Sequence, residues 1–398
     1  MGGRRQPIRN VLIVPSWYPT SEDEVSGHFF KDQALSLLRS GCNVVVLYIN
    51  IKSLRKYNFK SRLFEYSRTN EDGLKTIRLT TYNITPSSSF GLIFQYKVYS
   101  KLIAFLSLKR KNIFVPGVVH AHSALFGGTV ARTIAKSFGC NYLVTEHKRS
   151  DPNEIIKHES NEYLSIVEFS SYFISLSSAF SMFLKNSYRL AEDKDIVIPN
   201  MIPLPFEGEK MSSIVRPYFR FIFIGSLIPL KRPCDLLKAF CRLLKKGYDC
   251  ELVICGGGGQ KNLLQKISSE NKVLDKVLIK GVLSRYEILE ELKRSNCLCS
   301  TSERETFGVG ILESISIGVP VIASKSGGPQ DIVNKDNGYL FDVGDILQLS
   351  ILMEQMILNY NNFNHESIRK DAAYRFSRKK ISRSIIDLYD EIYCRGAE

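Results

Sequence analysis

The sequence predicts an α/β protein built from two doubly wound parallel sheets. Short β-branched or apolar runs alternate with longer helical patterns from one end of the chain to the other, as is typical of βαβ units with helices on both faces of a sheet. The length of 398 residues fits two to three domains at roughly 150 residues each. Hydrophobic residues make up 44% and charged residues 24%, which is typical of a globular protein and excludes disorder as the general state of the chain.

The predicted strands are short and form the core of each half. They cover residues 11–14, 44–49, 118–121 and 142–145 in the first half, and 219–224, 251–255, 277–280 and 319–323 in the second. A doubly wound sheet binds its ligand at the carboxyl ends of its strands, so we expect the chemistry in the loops that follow these runs.

A break in composition divides the chain, because four prolines and a glycine fall between residues 198 and 217 without any sustained periodicity. We therefore predict an N-terminal domain over 1–200, a linker over 201–217 and a C-terminal domain over 218–376. Residues 377–398 form a final amphipathic helix, with apolar side chains spaced by four and three residues, at Ile381, Ile385, Leu388 and Ile392.

Charge and apolar patterning limit where the protein can act. With 54 Lys and Arg against 40 Asp and Glu, the net charge of +14 favours anionic partners, whether phosphates, nucleotides, nucleic acid or an anionic bilayer. The apolar runs are too short to span a bilayer, and the first residues lack the apolar region of a signal peptide, which favours a cytoplasmic location. Nine scattered cysteines without a CxxC pair indicate reduced thiols and no metal site.

One segment is much more basic than the rest. Residues 51–112 contain thirteen Lys or Arg and three acids, interleaved with aromatic residues. This mixture is expected where a surface contacts anionic headgroups, so we predict peripheral contact with an anionic membrane; an ordinary solvated basic face is the alternative.

The strongest chemical signal is a pair of glutamates, Glu305 and Glu313, separated by seven residues that include Phe307 and Gly308. If a helix begins near Phe307, its free N–H groups attract a diphosphate. Glu305, just before the helix, can then reach sugar hydroxyls on one side of the phosphates, and Glu313, about 8 Å along the axis, can reach a ribose on the other.

This pattern resembles the retaining glycosyltransferases of family 4, which have the GT-B fold and a Glu-x7-Glu motif with Phe-Gly after the first Glu. The likeness is to bacterial polysaccharide-biosynthesis members and extends over most of the chain. Further segments that resemble family motifs are Ser16-Trp17-Tyr18-Pro19 with Ser26-Gly27-His28, His120-Ala121-His122, Thr145-Glu146-His147, Pro199-Asn200 and the phosphate loop 225–232.

Two positions depart from the family pattern. Ser226 stands where the phosphate loop usually has an Arg, whereas Lys231 matches the usual Lys. Arg232 can replace the missing cation only if its geometry permits. Gln330 stands where an acid is usual, in the loop beyond the second Glu.

The resemblance implies a nucleotide-sugar-dependent hexosyltransferase that retains the anomeric configuration and needs neither metal nor cofactor. Its two Rossmann-like domains, an acceptor-side domain over 1–200 and a nucleotide-sugar-binding domain over 218–376, would face each other across a cleft, and the C-terminal helix would cross back to the first domain. The implied catalytic residues are Glu305, His122 and Lys231, and the implied donor-binding residues are Gly27, Ser226, Lys231, Arg232, Phe307, Gly308 and Glu313. For Glu146 and His147 the sequence leaves two roles open, contact with the ligand or packing of their loop.

The expected donor is a UDP- or GDP-linked sugar. The expected acceptor is a glycan, lipid-linked at the inner face of the cytoplasmic membrane, in capsule, O-antigen or exopolysaccharide assembly. Two other classes stay open: a GT-B nucleotide-sugar epimerase, and a basic nucleic-acid-binding protein, although no nucleic-acid-binding signature accompanies the charge. The glycines at 256–259 do not complete a dinucleotide fingerprint, which favours a tight turn beside the nucleobase.

Overall fold

The computed structural model describes residues 9–20, 26–57, 62–85, 89–105, 114–149, 157–211 and 218–395. The chain folds into two compact units. The first comprises Met1–Leu176, Phe180–Pro199 and Arg378–Glu398, and the second comprises Ser177–Ala179 and Asn200–Ser377. Residues 201–211, assigned to a linker by the sequence analysis, group with the second unit.

The first unit contains an eight-stranded sheet. Its strands are β1 (Asn10–Pro15), β2 (Asn43–Lys52), β3 (Phe64–Glu71), β4 (Leu74–Tyr82), β5 (Val118–His122), β6 (Asn141–Thr145), β7 (Phe173–Ser175) and β8 (Asp195–Val197). They lie in the order β3-β4-β2-β1-β5-β6-β7-β8. All neighbours are parallel except β3 and β4, which form an antiparallel hairpin at the edge.

Helices cover both faces of this sheet and bury an apolar core. They are α1 (His28–Arg39), α2 (Ser89–Ile103), α3 (Thr129–Phe138), α4 (Lys157–Phe169), α5 (Ser178–Tyr188) and, from the end of the chain, α13 (Arg378–Arg395). In the central strands β1, β2 and β6 most positions are apolar and buried, as expected for parallel strands covered on both faces, whereas the edge strand β3 is mostly polar and exposed. In β5 every residue is buried, including its two histidines.

The second unit contains six parallel strands, in the order β11-β10-β9-β12-β13-β14. They are β9 (Phe219–Ile224), β10 (Cys250–Cys255), β11 (Val277–Gly281), β12 (Cys297–Ser300), β13 (Val321–Ser324) and β14 (Gly338–Phe341). The helices are α6 (Pro233–Lys245), α7 (Lys261–Glu270), α8 (Arg285–Lys293), α9 (Val309–Ser316), α10 (Pro329–Ile332), α11 (Ile346–Leu358) and α12 (His365–Phe376). This is the strand order 3-2-1-4-5-6 of a doubly wound nucleotide-binding sheet, whose switch point lies between β9 and β12.

The C-terminal helix α13 packs on the first unit. The hydroxyl of Tyr389 lies 2.7 Å from Nδ1 of His120, and the hydroxyl oxygens of Ser36 and Ser382 are 2.7 Å apart. The prediction of two parallel α/β sheets with a final helix that returns to the first domain is confirmed.

Within the described ranges, no helix is long and apolar enough to cross a membrane. All nine cysteines are free thiols, and seven of them are buried.

The loops after β9 and β10 are packed backbone against backbone. A Cβ atom on Gly256 would lie 1.9 Å from the carbonyl oxygen of Gly225, and one on Gly258 would lie 2.5 Å from that of Leu227. Hydrogen bonds join the same loops, since Leu227 N–H donates to the carbonyl oxygen of Gly257. The tight turn predicted for the glycine run is present, and only glycine permits this close approach.

This packing predicts different outcomes for two glycines of one turn. Gly256→Ala should lower the midpoint of thermal unfolding by several degrees, because its methyl group displaces the loop that begins at Gly225. Gly259→Ala should leave the midpoint unchanged within about 1 °C, since a Cβ there meets no atom within 4 Å. Differential scanning calorimetry of the two variants compares them directly, and equal midpoints would contradict the proposed role of the contact.

Candidate active site

The centre of the candidate site in the second unit is an ion pair between Lys231 and Glu305. The ammonium nitrogen lies 2.5 Å from the carboxylate, and the two side chains are 25% and 18% exposed. Lys231 ends the short 3-10 turn that follows β9, whereas Glu305 lies in the loop after β12. The switch point of the sheet therefore brings together two residues that are 74 positions apart.

Hydrogen bonds fix the backbone on both sides of this ion pair. The Thr301 hydroxyl lies 2.9 Å from the carbonyl oxygen of Lys231 and 3.0 Å from that of Arg232, and Glu303 N–H donates to the carbonyl oxygen of Leu230. The loop after β12 is thus attached to the loop after β9 before any ligand binds.

The loop at 326–330 holds Glu305 from the other side. Glu305 N–H donates to the carbonyl oxygen of Ser326, and Gly328 N–H donates back to that of Glu305, both at 2.9 Å. Gln330, which stands where the family usually has an acid, accepts a hydrogen bond from Gly327 N–H at 3.2 Å. The amide therefore stabilises the turn that positions Glu305.

Helix α9 begins two residues later than Phe307. Gly308 adopts a left-handed conformation with φ of 112° and precedes the first helical residue, Val309. The Phe307 ring is 1% exposed and packs edge-on against Phe376. A Cβ on Gly328 would lie 2.3 Å from the Phe307 Cα, so a second glycine contact fixes the start of the helix. The free N–H groups of α9 lie at its N-terminal end, where the helix dipole favours an anion.

Glu313 lies inside α9 and is only 7% exposed. It lies five positions after Gly308, or about 7.5 Å along the helix axis. Its carboxylate pairs with Arg285 at 3.2 Å. Arg285 is not among the residues predicted from sequence, and nothing in its local pattern could have indicated it, because it opens α8 and meets Glu313 only through the tertiary fold.

The other two predicted donor residues have different environments. Ser226 is exposed and supplies no cation to the loop. Arg232 lies next to Lys231 in the chain, but its guanidinium is 2.6 Å from Asp235 and 3.7 Å from Glu303. The guanidinium that could have replaced the usual Arg is therefore already paired with two carboxylates.

In the first unit, His122 lies at the end of β5, next to the switch point with β1. It is fully buried, its Nδ1 is 3.0 Å from His147 Nε2, and its ring stacks on His120. Its Nε2 is buried and has no hydrogen-bond partner among the described residues. Burial lowers the pKa of His122 well below 6.5, so the imidazole is neutral at pH 7.

The loop after β1 is attached to the same strand end. The Ser16 hydroxyl donates to the carbonyl oxygens of His122 at 2.9 Å and Leu125 at 2.7 Å. Gly27 has φ of 80° just before α1, and a Cβ there would lie 2.9 Å from the Trp17 carbonyl oxygen. Gly27 and His122 thus belong to one connected group of loops.

Glu146 holds its own loop. Its carboxylate accepts hydrogen bonds from the N–H groups of Ala124, His147 and Lys148 at 2.8 to 2.9 Å, and from the Tyr163 hydroxyl at 3.1 Å. Of the two roles left open, this favours loop packing for Glu146. Burial lowers the pKa of His147 to about 3, so the His147 ring facing His122 is neutral as well.

No group of three or more His, Cys, Asp or Glu side chains in the described part of the chain could hold a metal ion. In the second unit the candidate site consists of carboxylates, one lysine and helix N–H groups. In the first unit the predicted site residue His122 is a neutral histidine.

Comparison with known proteins identifies a family domain in the second half of this chain. Residues 210–375 match the family described as glycosyl transferases group 1. The chain is 28% identical to N-acetyl-alpha-D-glucosaminyl L-malate synthase of Bacillus anthracis over 174 residues, covering 43% of this chain and 44% of that one. It is 30% identical to lipopolysaccharide 1,6-galactosyltransferase of Escherichia coli K12 over 184 residues, covering 44% and 47%. These alignments span less than half the length of either relative.

The fold extends further than the sequence similarity. The structure of Anabaena Alr3699/HepE in complex with UDP and glucose superposes with a TM-score of 0.72 at 16% identity, covering 96% of this chain and 99% of that one. The chain therefore has the GT-B fold and carries a glycosyl transferases group 1 domain in its second unit.

Proposed function

We propose that this protein is a retaining, metal-independent glycosyltransferase that moves a hexosyl group from a UDP- or GDP-linked sugar to a glycan acceptor. The observation that carries the proposal is the Lys231–Glu305 pair inside the group 1 domain, which joins the loop after β9 to the loop that leads into α9 at the switch point of the sheet. The UDP and glucose named in the HepE complex support a nucleotide-sugar donor.

The diphosphate would be bound by Lys231 and the first N–H groups of α9. An ammonium has three donors, so Lys231 can serve a phosphate oxygen while it keeps its contact with Glu305. The positive end of the helix dipole adds to this attraction. Both groups also stabilise the charge that develops on the leaving diphosphate, which is the main catalytic demand of the reaction.

The two glutamates would bind hydroxyl groups of the donor. Glu313 is buried and oriented by Arg285, which suits a carboxylate that accepts two hydrogen bonds from a ribose diol. Glu305 would accept from hydroxyls of the transferred sugar. Hydrogen bonds to a carboxylate hold the sugar in one orientation and reduce the entropy lost on the way to the transition state.

His122 would contribute a neutral imidazole. Because its Nε2 is buried and unpartnered among the described residues, a hydroxyl of the substrate can supply the missing hydrogen bond. At neutral pH it would orient the sugar through this bond, without adding a charge.

A lipid-linked acceptor at the inner face of the cytoplasmic membrane is supported by helix α2. Five apolar side chains spaced by four and three residues form one exposed face of this helix and its C-terminal extension, the α2 face: Phe90 (61% exposed), Phe94 (57%), Val98 (44%), Leu102 (40%) and Phe105 (61%). Lys101 is exposed beside them. An apolar stripe next to cations is typical of helices that lie in a bilayer interface.

The neighbouring cations Lys109, Arg110 and Lys111, which belong to the predicted basic segment, lie outside the described residues. The name of the E. coli relative, lipopolysaccharide 1,6-galactosyltransferase, supports a role in surface polysaccharide assembly such as capsule, O-antigen or exopolysaccharide.

The donor proposal predicts a selective response to one nucleoside diphosphate. In a thermal-shift screen with UDP, GDP, ADP, CMP and dTDP in EDTA, one ligand at ~100 times its Kd should add about 2.7 kcal/mol to the free energy of unfolding. Lys231→Ala and Glu313→Gln should weaken binding by about 10- to 100-fold, because each removes a charge-assisted hydrogen bond.

The matched controls for this screen are Lys266→Ala and Glu270→Gln, which alter an exposed ion pair of the same unit. They should leave nucleotide binding unchanged. No shift with any nucleotide, or equal losses in control and site variants, would rule out the proposed donor site.

The membrane proposal predicts that the α2 face binds anionic lipid. Replacing Phe90, Phe94 and Phe105 together by Ser should reduce co-sedimentation with phosphatidylglycerol-containing vesicles at least tenfold, since each Phe loses about 1.5 kcal/mol or more of burial. Lys101→Glu should weaken it further on anionic vesicles, by about 1 kcal/mol or more.

The control is Leu358→Ser with Tyr374→Ser, which removes two exposed apolar side chains from the second unit. Its sedimentation should match that of the unmodified protein. Unchanged sedimentation of the α2 variant would contradict the membrane proposal and leave the donor proposal intact.

A further inference from the structure

The first unit has a polar cavity of about 510 Å³ that none of the predicted site residues lines. It is bounded by the loop after β1, the first turn of α1, and strands β2, β3 and β4. Its volume lies within the range of small-ligand pockets, roughly 300 to 1,000 Å³.

The floor of the cavity is formed by two rows of side chains across three strands. Pairing of the strands aligns Ser67, Arg78 and Tyr48 in one row, and Glu65, Thr80 and Asn50 in the next. Strands lie about 4.8 Å apart and alternate residues about 6.6 Å apart, so the floor measures roughly 10 by 7 Å. The edge strand β3, which is additional to the parallel order of the sheet, supplies one residue of each row.

Hydrogen bonds hold the charged groups of the cavity in place. Arg78 donates to the carbonyl oxygen of Pro19 at 2.7 Å and to Glu71 at 2.8 Å, and Lys31 lies 3.4 Å from Glu71. Arg78 and Glu71 have side chains that are only 20% exposed. Lys52 and Glu65 also line the cavity, so three cations face two carboxylates and only one positive charge is left in excess. The cavity therefore offers oriented donors and acceptors with a small net charge.

This composition fits a neutral polyhydroxyl ligand better than a phosphate. Each sugar hydroxyl both donates and accepts, and the second row presents a carboxylate, a hydroxyl and an amide side by side, at Glu65, Thr80 and Asn50. A phosphate dianion would instead need a larger excess of cations than the single one of this lining.

The first turn of α1 separates this cavity from the histidines. His28 lines the cavity, whereas the Phe30 ring, two residues later, packs on His122 with centroids 4.6 Å apart. A helix with its side chains is about 10 Å across. A ligand in the cavity is therefore about one helix diameter away from His122.

We propose that this cavity is a subsite for a neutral sugar residue of the acceptor, other than the residue that receives the hexosyl group. The inference rests on the proposed function. It assigns the enzyme to the extension of acceptors that already contain at least two sugar residues, and it makes the β3–β4 hairpin a determinant of acceptor specificity.

The test is binding of lactose, maltose, chitobiose and α-1,6-mannobiose to the full-length protein, by saturation-transfer NMR titration. At least one disaccharide should bind, and Asn50→Ala and Glu65→Gln should each weaken it about three- to tenfold. Asn70→Ala, on the opposite face of β3, and Glu313→Gln, in the second unit, should bind as the unmodified protein does.

Failure to bind any of the four disaccharides, or binding by Asn50→Ala that equals that of the unmodified protein, would overturn the proposed subsite. Nucleotide binding is measured on the same samples. A nucleotide response without disaccharide binding rejects only this inference, whereas loss of the nucleotide response in the unmodified protein rejects the proposed function.

Discussion

Close backbone contacts at two glycines hold the candidate donor site together. Gly256 lies against the loop that begins at Gly225, and Gly328 lies against Phe307, at distances where a methyl group has no room. The first contact fixes the loop that ends in Lys231, and the second fixes the start of α9. Because both loops leave strands at the switch point of the sheet, their backbone positions determine where the Lys231 and Glu305 side chains can meet.

The charges of this site are already paired before a ligand arrives. Glu305 is held by Lys231 and Glu313 by Arg285, so neither carboxylate is a buried, uncompensated charge. In the proposed site, donor binding would exchange or share these partners instead of neutralising an isolated charge, and the geometry would be prepared in advance. The first unit contains a different kind of group, since the buried His122 is neutral because it is desolvated.

Much of the fold could be predicted from sequence because its strands are continuous apolar runs that parallel sheets require. The hairpin strand β3 could not, since most of its residues are exposed and polar and it is defined by pairing with β4. The glutamate pair and its helix followed from local spacing, although the left-handed Gly308 moves the helix start to Val309. The pairs Arg285–Glu313 and Arg232–Glu303 join segments that are distant in the chain, which a single sequence does not display. Asp235 is only three residues from Arg232, but sequence alone does not show that the two side chains pair.

The most direct test is a crystal structure of the full-length protein, grown in EDTA, with the nucleoside diphosphate that stabilises it. The account predicts the diphosphate at Lys231 and the first N–H groups of α9, and the ribose hydroxyls on the Glu313 carboxylate. A nucleotide bound elsewhere, or one whose ribose makes no contact with Glu313, would contradict it.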